Sequence, residues 1–545
     1  MRVLIFHGYL LEGTGSNVYN ARLAAALVAL GHEVHLLCQD RHPERQPFVD
    51  AVADWDTGEL RVKALRTPVR CTVYRPDIGG LLPVYVADTY EGITALPFAQ
   101  CSDAEVERYV QANVLAVREL ATRVRPEAAL ANHLIMGPAI LARGLRGAPY
   151  AVKVHGSALE YTVKPDPERF LGYAREGLAG AVGVLVGSLH TARSLWQTLA
   201  DPDLPARTRL GPPGVDVDRF APLAGDAATL APRGAVAGLA QRLRTGAPAQ
   251  AATSGGAFAR DDLAAAQALE RLATLLDDEH TQVLDDEHAQ VLDDKGAQLV
   301  AFVGKLIVSK GVDLLLAAWP LVLETLPGAT LAVVGFGAYR AGLERLLHAL
   351  AAGQLGEALA VARAGRALEQ PPGEAAPLRH LEAFLESLRG EQRERYLAAA
   401  RALPERVVFV GRLDHEELAE LLPVCEAVVV PSTFPEAFGM VAAEGAACGA
   451  LPISAEHSGL AEVSAVLARA VPAQAAPWLS FPLDDDAVAA LAGRLAAWLS
   501  ADAALRRDTR AGLVGAVREH WSWEGVARGV LAAARGELDG LSAPR

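Results

Sequence analysis

Residues 435–445 read Pro-Glu-Ala-Phe-Gly-Met-Val-Ala-Ala-Glu-Gly and place two carboxylates, Glu436 and Glu444, eight positions apart. An apolar run at residues 427–430 and a Pro-Ser pair precede them, which predicts a buried parallel strand ending in a turn. Residues 440–448 have helical composition. We therefore expect Glu436 in the loop after a strand and Glu444 on the next helix, whose first N–H groups point into the same crevice. Two solvated glutamates on a surface helix are the alternative.

A second segment, residues 302–313, carries two lysines. Lys305 and Lys310 lie five positions apart, on a strand end and on a Gly-containing loop before an apolar helix. The chain has six lysines against 45 arginines, so this pair departs from its usual choice of cation. A lysine ammonium is a compact charge that suits a diphosphate oxygen. An ordinary helix-start loop without a ligand is the alternative.

Together these segments resemble the retaining glycosyltransferases of family 4, the glycosyl transferases group 1, which have the GT-B fold. The Glu-x7-Glu motif of that family, with a Gly after the first Glu, is matched by Glu436, Gly439 and Glu444. Its Gly-Arg-Leu-x3-Lys-Gly motif is matched by residues 304–311, with Lys305 in place of the Arg. That replacement keeps the charge and loses the bidentate fork of a guanidinium.

Further matches follow in the order of the family. Residues 2–6 form a short apolar strand, and residues 13–16, Gly-Thr-Gly-Ser, stand where the family has a Gly-Gly loop. Small residues there let backbone N–H groups approach a phosphate. Residues 152–156, Val-Lys-Val-His-Gly, resemble the strand-end His-Gly of the family. The strand ends at residues 331–337 and 407–412 match those that flank the nucleobase.

The resemblance implies an α/β protein of GT-B fold: two doubly wound, Rossmann-like domains facing across a cleft, with two largely helical or disordered inserts. The expected organisation is an N-terminal acceptor-side domain (1–218), an acidic low-complexity insert in the interdomain linker (224–298), a C-terminal nucleotide-sugar domain (299–520) that contains a helical insert (341–400), and a C-terminal helix that crosses back to the N-terminal domain (521–545).

The resemblance also implies a function, which is the metal-independent, retaining transfer of a sugar from a UDP-, GDP- or ADP-sugar to an acceptor. It requires no cofactor, and the acceptor is a glycan, a lipid-linked sugar or a small molecule. The residues assigned to catalysis are His155, Lys305, Lys310 and Glu436. The residues assigned to the donor are Gly13, Gly15, Gly335, Gly337, Arg412, Ala437, Phe438, Gly439 and Glu444.

Within that assignment each group has a role. Lys305 and Lys310 neutralise the diphosphate as the glycosidic bond breaks, and His155 meets the transferred sugar. Glu436 and the backbone of residues 437–439 hold sugar hydroxyls, while Glu444 accepts hydrogen bonds from the ribose. The two glutamates are not the acid and nucleophile of a glycosidase.

Composition sets limits on other functions. A length of 545 residues and 51% hydrophobic content supply two cores. The formal net charge of −14 argues against nucleic-acid binding. Five scattered cysteines without metal-ligand spacing are typical of a reduced, cytoplasmic protein. No signal peptide or membrane-spanning run is evident, so a membrane contact would be peripheral.

Several alternatives compete with this interpretation. A nicotinamide-binding fold would need a third glycine after Gly335 and Gly337, where the chain has Arg340. A catalytically idle GT-B binding module, or an epimerase acting on a sugar nucleotide, shares the fold. Residues 277–292 hold two copies of an Asp-Asp-Glu-His repeat whose carboxylates and His fit a metal site. A tandem duplication in an exposed acidic insert explains the repeat without a metal.

Overall fold

The computed structural model describes residues 1–12, 15–56, 58–85, 93–223, 232–245, 260–276, 298–369 and 376–545. These residues form two compact units. The N-terminal unit comprises residues 1–214 together with 521–545, and the C-terminal unit comprises residues 215–520.

The N-terminal unit is built on a sheet that has nine strands among the described residues, in the order β11-β10-β9-β8-β1-β2-β5-β3-β4. All neighbouring strands are parallel except β3 and β4. A separate pair, β6 and β7, lies outside this sheet. The strands are β1 (Arg2–Phe6), β2 (Glu33–Leu37), β3 (Ala51–Asp56), β4 (Glu59–Ala64), β5 (Cys71–Arg75), β6 (Leu81–Val84), β7 (Thr94–Pro97), β8 (Ala128–Asn132), β9 (Tyr150–Val154), β10 (Gly183–Val186) and β11 (Thr208–Leu210).

Both faces of this sheet are covered, as expected for parallel strands. Leu4 and Phe6 of β1 point into one hydrophobic core and Val3 and Ile5 into the other. The covering helices are α1 (Gly15–Ala29), α2 (Asp103–Val124), α3 (Gly137–Gly144), α4 (Pro167–Ala179), α5 (Leu189–Leu199) and α6 (Leu204–Arg207).

The C-terminal unit contains a parallel sheet that has six strands in the described part of the chain, in the order β14-β13-β12-β15-β16-β17. The strands are β12 (Leu299–Val303), β13 (Thr330–Val334), β14 (Val407–Gly411), β15 (Ala427–Val430), β16 (Leu451–Ala455) and β17 (Ser480–Phe481). The first strand, β12, lies between β13 and β15, so the strand order reverses there. Ligands of open α/β sheets bind outside the carboxyl ends of the strands at such a switch point.

Helices of the C-terminal unit include two groups within the predicted inserts. The helices are α7 (Pro232–Thr245), α8 (Asp262–Leu275), α9 (Val312–Thr325), α10 (Arg340–Ala351), α11 (Leu355–Ala364), α12 (Arg379–Ser387), α13 (Gly390–Ala400), α14 (Leu403–Arg406), α15 (His415–Leu421), α16 (Met440–Ala447), α17 (Ser458–Ala468), α18 (Ala487–Leu499) and α19 (Ala503–Trp521). The helices of the second insert are tied to α9 by Tyr396, whose hydroxyl donates to the carbonyl oxygen of Ala317 over 2.9 Å.

Helices α7 and α8 belong to the segment that the sequence places in the linker. They pack against each other, and Arg260 just before α8 forms ion pairs with Asp262, Asp414 and Glu417. These charges tie the segment to the start of α15. The repeat at residues 277–292 lies outside the described residues.

The chain returns to the N-terminal unit in its last helix, α20 (Trp523–Ala534). Its first residue packs so closely on Gly214 that a Cβ there would lie 2.5 Å from the indole ring of Trp523. The ring of Trp523 also meets Tyr19 of α1 edge-on, with 5.5 Å between centroids.

Within the described ranges no single helix is long and apolar enough to cross a membrane. Taken together, α18 and α19 reach that length and apolar composition, but they meet at a bend of 108°.

Candidate functional site

Two loops that are far apart in sequence meet at the switch point of the C-terminal sheet. One follows β12 and carries Lys305 and Lys310, and the other follows β15 and carries Glu436. The strand β15 covers residues Ala427–Val430 and the helix α16 covers Met440–Ala447, which confirms the strand–loop–helix pattern predicted for this segment. The two motifs found in the sequence therefore occupy adjacent strand ends.

A glycine permits the close approach of these loops. Gly311 has φ +65°, and a Cβ at this position would lie 2.0 Å from the carbonyl oxygen of Pro431. The backbone N–H of Thr433 donates to the carbonyl oxygen of Ser309 over 2.9 Å. No larger residue than glycine fits at 311 without moving the second loop.

Lys310 and Glu436 form an ion pair across the two loops. Ser432 donates its hydroxyl to the same Oε1 atom of Glu436 over 2.7 Å. The backbone N–H of Glu436 donates to Ser458 Oγ at the start of α17 over 2.9 Å, and the His457 ring contacts both serines. The side chains of the pair are 30% and 25% exposed, so a ligand can reach both charges.

Lys305 differs from Lys310 in its surroundings. Its side chain is exposed and has neither a hydrogen bond nor an ion pair to any residue that the structure describes. The loop between the two lysines is held from the second insert, because Glu369 Oε1 accepts a hydrogen bond from the backbone N–H of Val308 over 2.5 Å.

The strand end after β13 packs tightly on the lysine loop. A Cβ at Gly335 would lie 1.9 Å from the carbonyl oxygen of Gly304, and one at Gly337 would lie 2.4 Å from that of Leu306. The backbone N–H of Leu306 donates to the carbonyl oxygen of Phe336 over 2.8 Å. At both predicted glycines, any larger side chain would therefore clash with a carbonyl oxygen of the lysine loop.

Arg412 follows β14 at the same edge of the sheet. Its guanidinium carbon lies 5.1 Å from the centroid of the Phe336 ring, a cation–π contact. Its Nε lies 3.5 Å from Asp414 Oδ1. The planar cation is therefore held beside the Gly335–Gly337 turn.

Residues 437–439 connect the two glutamates. Gly439 has φ +135° and immediately precedes α16. The next helix supports this loop, because a Cβ on Gly459 would lie 2.6 Å from the backbone nitrogen of Phe438 and 2.7 Å from the carbonyl carbon of Ala437. The ring of Phe438 is buried.

Glu444 lies buried in α16 and is 4% exposed. Its Oε1 is 3.2 Å from Nε2 of His415, the first residue of α15. The His415 ring meets Phe220 edge-on, with 5.9 Å between centroids. The carboxylate that sequence reasoning assigns to the ribose is thus fixed by an imidazole that the sequence did not single out.

In the N-terminal unit, His155 directly follows β9. Its Nε2 is 2.9 Å from Asn132 Oδ1, and Asn132 donates to Asn20 Oδ1 over 2.6 Å. Asn20 contacts Nδ1 of His7 over 3.0 Å, and His7 Nε2 lies 3.0 Å from Asn17 Oδ1. A continuous polar network thus joins the carboxyl ends of β9, β8 and β1.

Burial lowers the pKa values of the imidazoles in this network and of His133 beside it. Desolvation lowers the pKa of His7 to about 4, and it lowers the pKa values of His133 and His155 well below 6.5. The buried Lys153 on β9 has a pKa lowered to about 7 by the same cause. Neutral rings and a weakly basic amine surround His155.

The predicted phosphate loop of the N-terminal unit is described only in part. Gly15 is the first residue of α1, and a Cβ there would meet nothing within 4 Å. Gly13 lies outside the described residues. Across the described ranges, no group of three or more His, Cys, Asp or Glu side chains is placed to hold a metal ion.

Three contributions to these sites were missed from the sequence: His415, Glu369 and the pair Asn132-His133. The last pair had a usable signal, because it directly follows the apolar run of β8 as His155 follows that of β9. His415 and Glu369 carried no comparable signal, since they contact residues 29 and 61 positions away.

Two family profiles match the chain. Residues 14–204 match the family described as "Glycosyl transferase 4-like domain", and residues 388–469 match the family described as "Glycosyl transferases group 1". The first match contains His155 and the second contains Glu436 and Glu444.

Among curated proteins, glycogen synthase from two strains of Mycobacterium tuberculosis is 30% identical to the chain over 240 residues. The match covers 43% of the chain and 43% of each relative, so the chain spans less than half the length of these relatives.

Solved structures resemble the whole chain at low identity. HepE from Anabaena, solved in complex with UDP, has a TM-score of 0.51 at 13% identity and covers 97% of this chain and 98% of its own. The α,α-trehalose 6-phosphate synthase from Burkholderia multivorans has a TM-score of 0.52 at 13% identity and covers 98% of both chains. These likenesses confirm the GT-B fold of two α/β domains, and the family matches identify a glycosyl transferase 4-like domain at residues 14–204 and a glycosyl transferases group 1 domain at residues 388–469.

Proposed function

We propose that the protein transfers a sugar from a nucleotide-sugar donor to an acceptor hydroxyl, with retention of anomeric configuration and without a metal ion. The observation that carries the proposal is the Lys310–Glu436 ion pair at the switch point of the C-terminal sheet. It sets a cation for phosphate and an acceptor for sugar hydroxyls side by side, with Lys305 on the same loop.

The two lysines have different tasks in this proposal. Lys305 has no partner among the described residues and is exposed, so it can meet an incoming diphosphate without breaking a contact. Lys310 exchanges Glu436 for a phosphate oxygen, which frees the carboxylate for a sugar hydroxyl. Both cations then oppose the charge that grows on the leaving diphosphate as the glycosidic bond breaks, and this is the task that a divalent cation would otherwise perform.

Glu444 accepts hydrogen bonds from the ribose in this proposal. Its partner His415 contacts Oε1 and leaves the other carboxylate oxygen, Oε2, available for the ribose. The nucleobase is assigned to the strand ends that carry Arg412 and the Gly335–Gly337 turn. The donor thus occupies the C-terminal unit, and the N-terminal unit serves the acceptor.

Retention follows from same-face attack on an oxocarbenium-like centre, with the leaving phosphate accepting the proton of the acceptor hydroxyl. His155 is assigned to the transferred sugar and stays neutral because of its burial. Neither glutamate is a nucleophile in this proposal, since Glu436 accepts from a sugar hydroxyl and Glu444 accepts from the ribose. We include a cytoplasmic location in the proposal, because the five cysteines, all within the described part of the chain, are buried and unpaired.

The first experiment is thermal unfolding with a panel of UDP-, GDP- and ADP-sugars, together with slow nucleotide release without acceptor. A donor that binds the folded state raises the melting temperature by mass action. The panel starts with UDP-sugars, because HepE was solved with UDP. The expected result is a shift for one base that persists in EDTA.

Two variants make this experiment specific. Lys310→Ala should abolish the shift, whereas Lys164→Ala, which removes the exposed Lys164–Glu160 ion pair of the N-terminal unit, should keep it. An NMR assay of the anomeric configuration of the product tests retention. Wild-type protein that shows neither a shift nor nucleotide release with any donor would contradict the proposal and favour a binding module.

A further inference from the structure

Helix α15 sets His415 against Glu444, and the rest of its charge is acidic. The helix reads His-Glu-Glu-Leu-Ala-Glu-Leu. Each of its glutamates pairs with an arginine that comes before β12 in the chain: Glu416 with Arg219, Glu417 with Arg260, and Glu420 with Arg242. The helix is therefore held by the linker and by the first insert, which are distant from it in sequence.

Arg260 differs from the other two arginines in its burial. Its side chain is 16% exposed, against 33% for Arg219 and 55% for Arg242. Ion pairs between exposed side chains contribute little, because water screens them. A buried charge depends on its partners, and breaking such a pair is costly. Arg260 is therefore the arginine that can fix the position of α15.

The guanidinium of Arg260 bridges the two carboxylates of a capping box at the start of α15. Asp414 and Glu417 form this box, and Glu417 Oε2 accepts from the backbone N–H of Asp414 over 2.6 Å. Nη1 of Arg260 donates to Asp414 Oδ2 and Nη2 donates to Glu417 Oε1. One planar cation thus neutralises two carboxylates that would otherwise repel each other in the first turn of the helix.

The same side chain ties this turn to the first insert. Nε of Arg260 donates to Asp262, the first residue of α8. Helix α8 packs against β14, the strand that leads into α15, and helix α7 packs against α15 itself. The insert therefore contacts the strand, the capping box and the helix that together place His415.

We propose that the first insert positions the ribose contact of the donor site: Arg260 fixes the first turn of α15, and through His415 this turn fixes Glu444. The inference rests on the proposed function. Arg260 is a positioning residue, because it acts through α15 and not on the substrate. The insert should then matter for a ligand that carries ribose hydroxyls, and not for one that lacks them.

The test measures two ligands by isothermal titration. The first is UDP, or the nucleoside diphosphate of the base that the donor panel identifies, and the second is its 2′,3′-dideoxy analogue, which offers Glu444 no ribose hydroxyl. Arg260→Ala should lower the affinity for the first roughly 2- to 30-fold and leave the affinity for the second unchanged. A purely structural role of Arg260 predicts equal changes for both ligands.

Two further variants make the comparison specific. Arg260→Lys keeps the charge and lacks the planar fork, so it should recover only part of the loss. Arg244→Ala is the matched control, because it removes the exposed Arg244–Glu270 ion pair between α7 and α8 of the same insert. This control should bind both ligands like the wild type.

A double variant tests the route from Arg260 to Glu444. His415→Ala alone should also weaken binding of the ribose nucleotide and spare the dideoxy analogue. If Arg260 acts through His415, then Arg260→Ala should cause little further loss in the His415→Ala background, since the effects of coupled residues do not add. Fully additive losses would overturn the proposed route.

The outcomes separate this inference from the proposed function. Wild-type protein that binds no nucleotide would refute the proposed function. Wild-type protein that prefers the ribose nucleotide, with the same preference in Arg260→Ala, would overturn the role of Arg260 alone. Should Arg260→Ala fail to fold, Glu417→Gln takes its place, because it still accepts from the Asp414 N–H and loses the charge that Arg260 pairs with. Glu417→Gln should show the same ribose-dependent loss, and wild-type affinity would contradict the proposal.

Discussion

Glu444 and His415 are hydrogen bonded in the C-terminal unit, with 3.2 Å between Oε1 and Nε2. The carboxylate side chain is 6% exposed and the imidazole 41%. A carboxylate buried without a partner would cost much stability, so His415 allows Glu444 to stay buried and oriented. The pair joins the first residue of α15 to the middle of α16, and the proposed ribose contact requires these two helices to keep their spacing.

Glu444→Ala should weaken nucleotide-sugar binding strongly and leave the fold intact, because the side chain supplies the proposed ribose acceptor. A hydrogen bond to a charged group contributes roughly 1.5–3 kcal/mol, which corresponds to an affinity loss of about 10- to 150-fold. Isothermal titration with the donor found in the panel measures the loss. Unchanged binding would remove Glu444 from the site.

Lys305→Ala should weaken donor binding and leave the melting temperature unchanged, because the side chain has no partner to lose among the described residues. The loss should shrink as salt concentration rises, since an exposed charge is screened. Lys305→Arg should bind at least as well as wild type, because a guanidinium can grip a diphosphate with two hydrogen bonds. The measurement is donor affinity of both variants and wild type at low and high salt. A loss of affinity in Lys305→Ala that does not depend on salt would argue against a phosphate contact.

Glu369→Ala should raise the donor KM several-fold with little change in kcat, because the Val308 N–H loses its acceptor and the lysine loop loses its tie to the second insert. Glu369→Gln should restore the wild-type KM, since its side-chain carbonyl still accepts. Glu382→Ala on α12, which removes an ion pair to Arg363, serves as the control within the same insert. Equal effects of both alanine variants would mean that the insert matters only for stability.

The N-terminal unit should lose stability as pH falls below 6.5. The folded pKa of His7, about 4, lies below its unfolded value of 6.5, so its contribution is complete above pH 6.5 and is lost as pH falls through 4. For His7 alone the loss is on the order of 3 kcal/mol, and His133 and His155 act in the same direction. Denaturant unfolding between pH 7.5 and 4.5 measures the loss of unfolding free energy. A variant in which the exposed His42 is replaced serves as the control. A flat profile would contradict the burial of the cluster.

Lys153→Met should stabilise the protein most at neutral pH and progressively less towards pH 10.5. The folded pKa of this lysine is about 7 against 10.5 for the free group, so the folded state gives up a proton that the unfolded state keeps over this range. Unfolding free energies of both proteins at pH 7, 8.5 and 10 check the trend. A constant difference would mean that the amine stays charged.

Sequence patterns predicted the elements of the C-terminal site because those patterns are local. The apolar run at residues 427–430 and the helical composition after Gly439 fixed β15 and α16 to within a residue. The ion pair between Lys310 and Glu436 was not predicted, although both were assigned to one site, because it spans 126 positions and depends on the glycine contact at 311. Strand order brings such residues together, and periodicity does not encode strand order.

Helices α7 and α8 are elements whose position could not be predicted from a local sequence pattern. Because their segment is rich in Ala, Gly and Pro, the sequence predicted an insert there but assigned it no role. In the structure Arg260 binds acidic groups around the start of α15, next to His415. The ion pair that ties these helices to α15 joins residues 154 positions apart. Composition alone does not predict such a contact.

The N-terminal unit is closed by the last helix of the chain, and this has a consequence for protein synthesis. Strand β1 leaves the ribosome before α20, with the whole C-terminal unit translated in between. Until α20 emerges, the apolar side of α1 and the adjoining faces of β8 to β10 lack their cover, because Ala527, Val530 and Leu531 are still missing. The N-terminal unit can therefore complete its fold only after the C-terminal unit has been synthesised, so we expect chaperones to bind its exposed apolar surface during elongation.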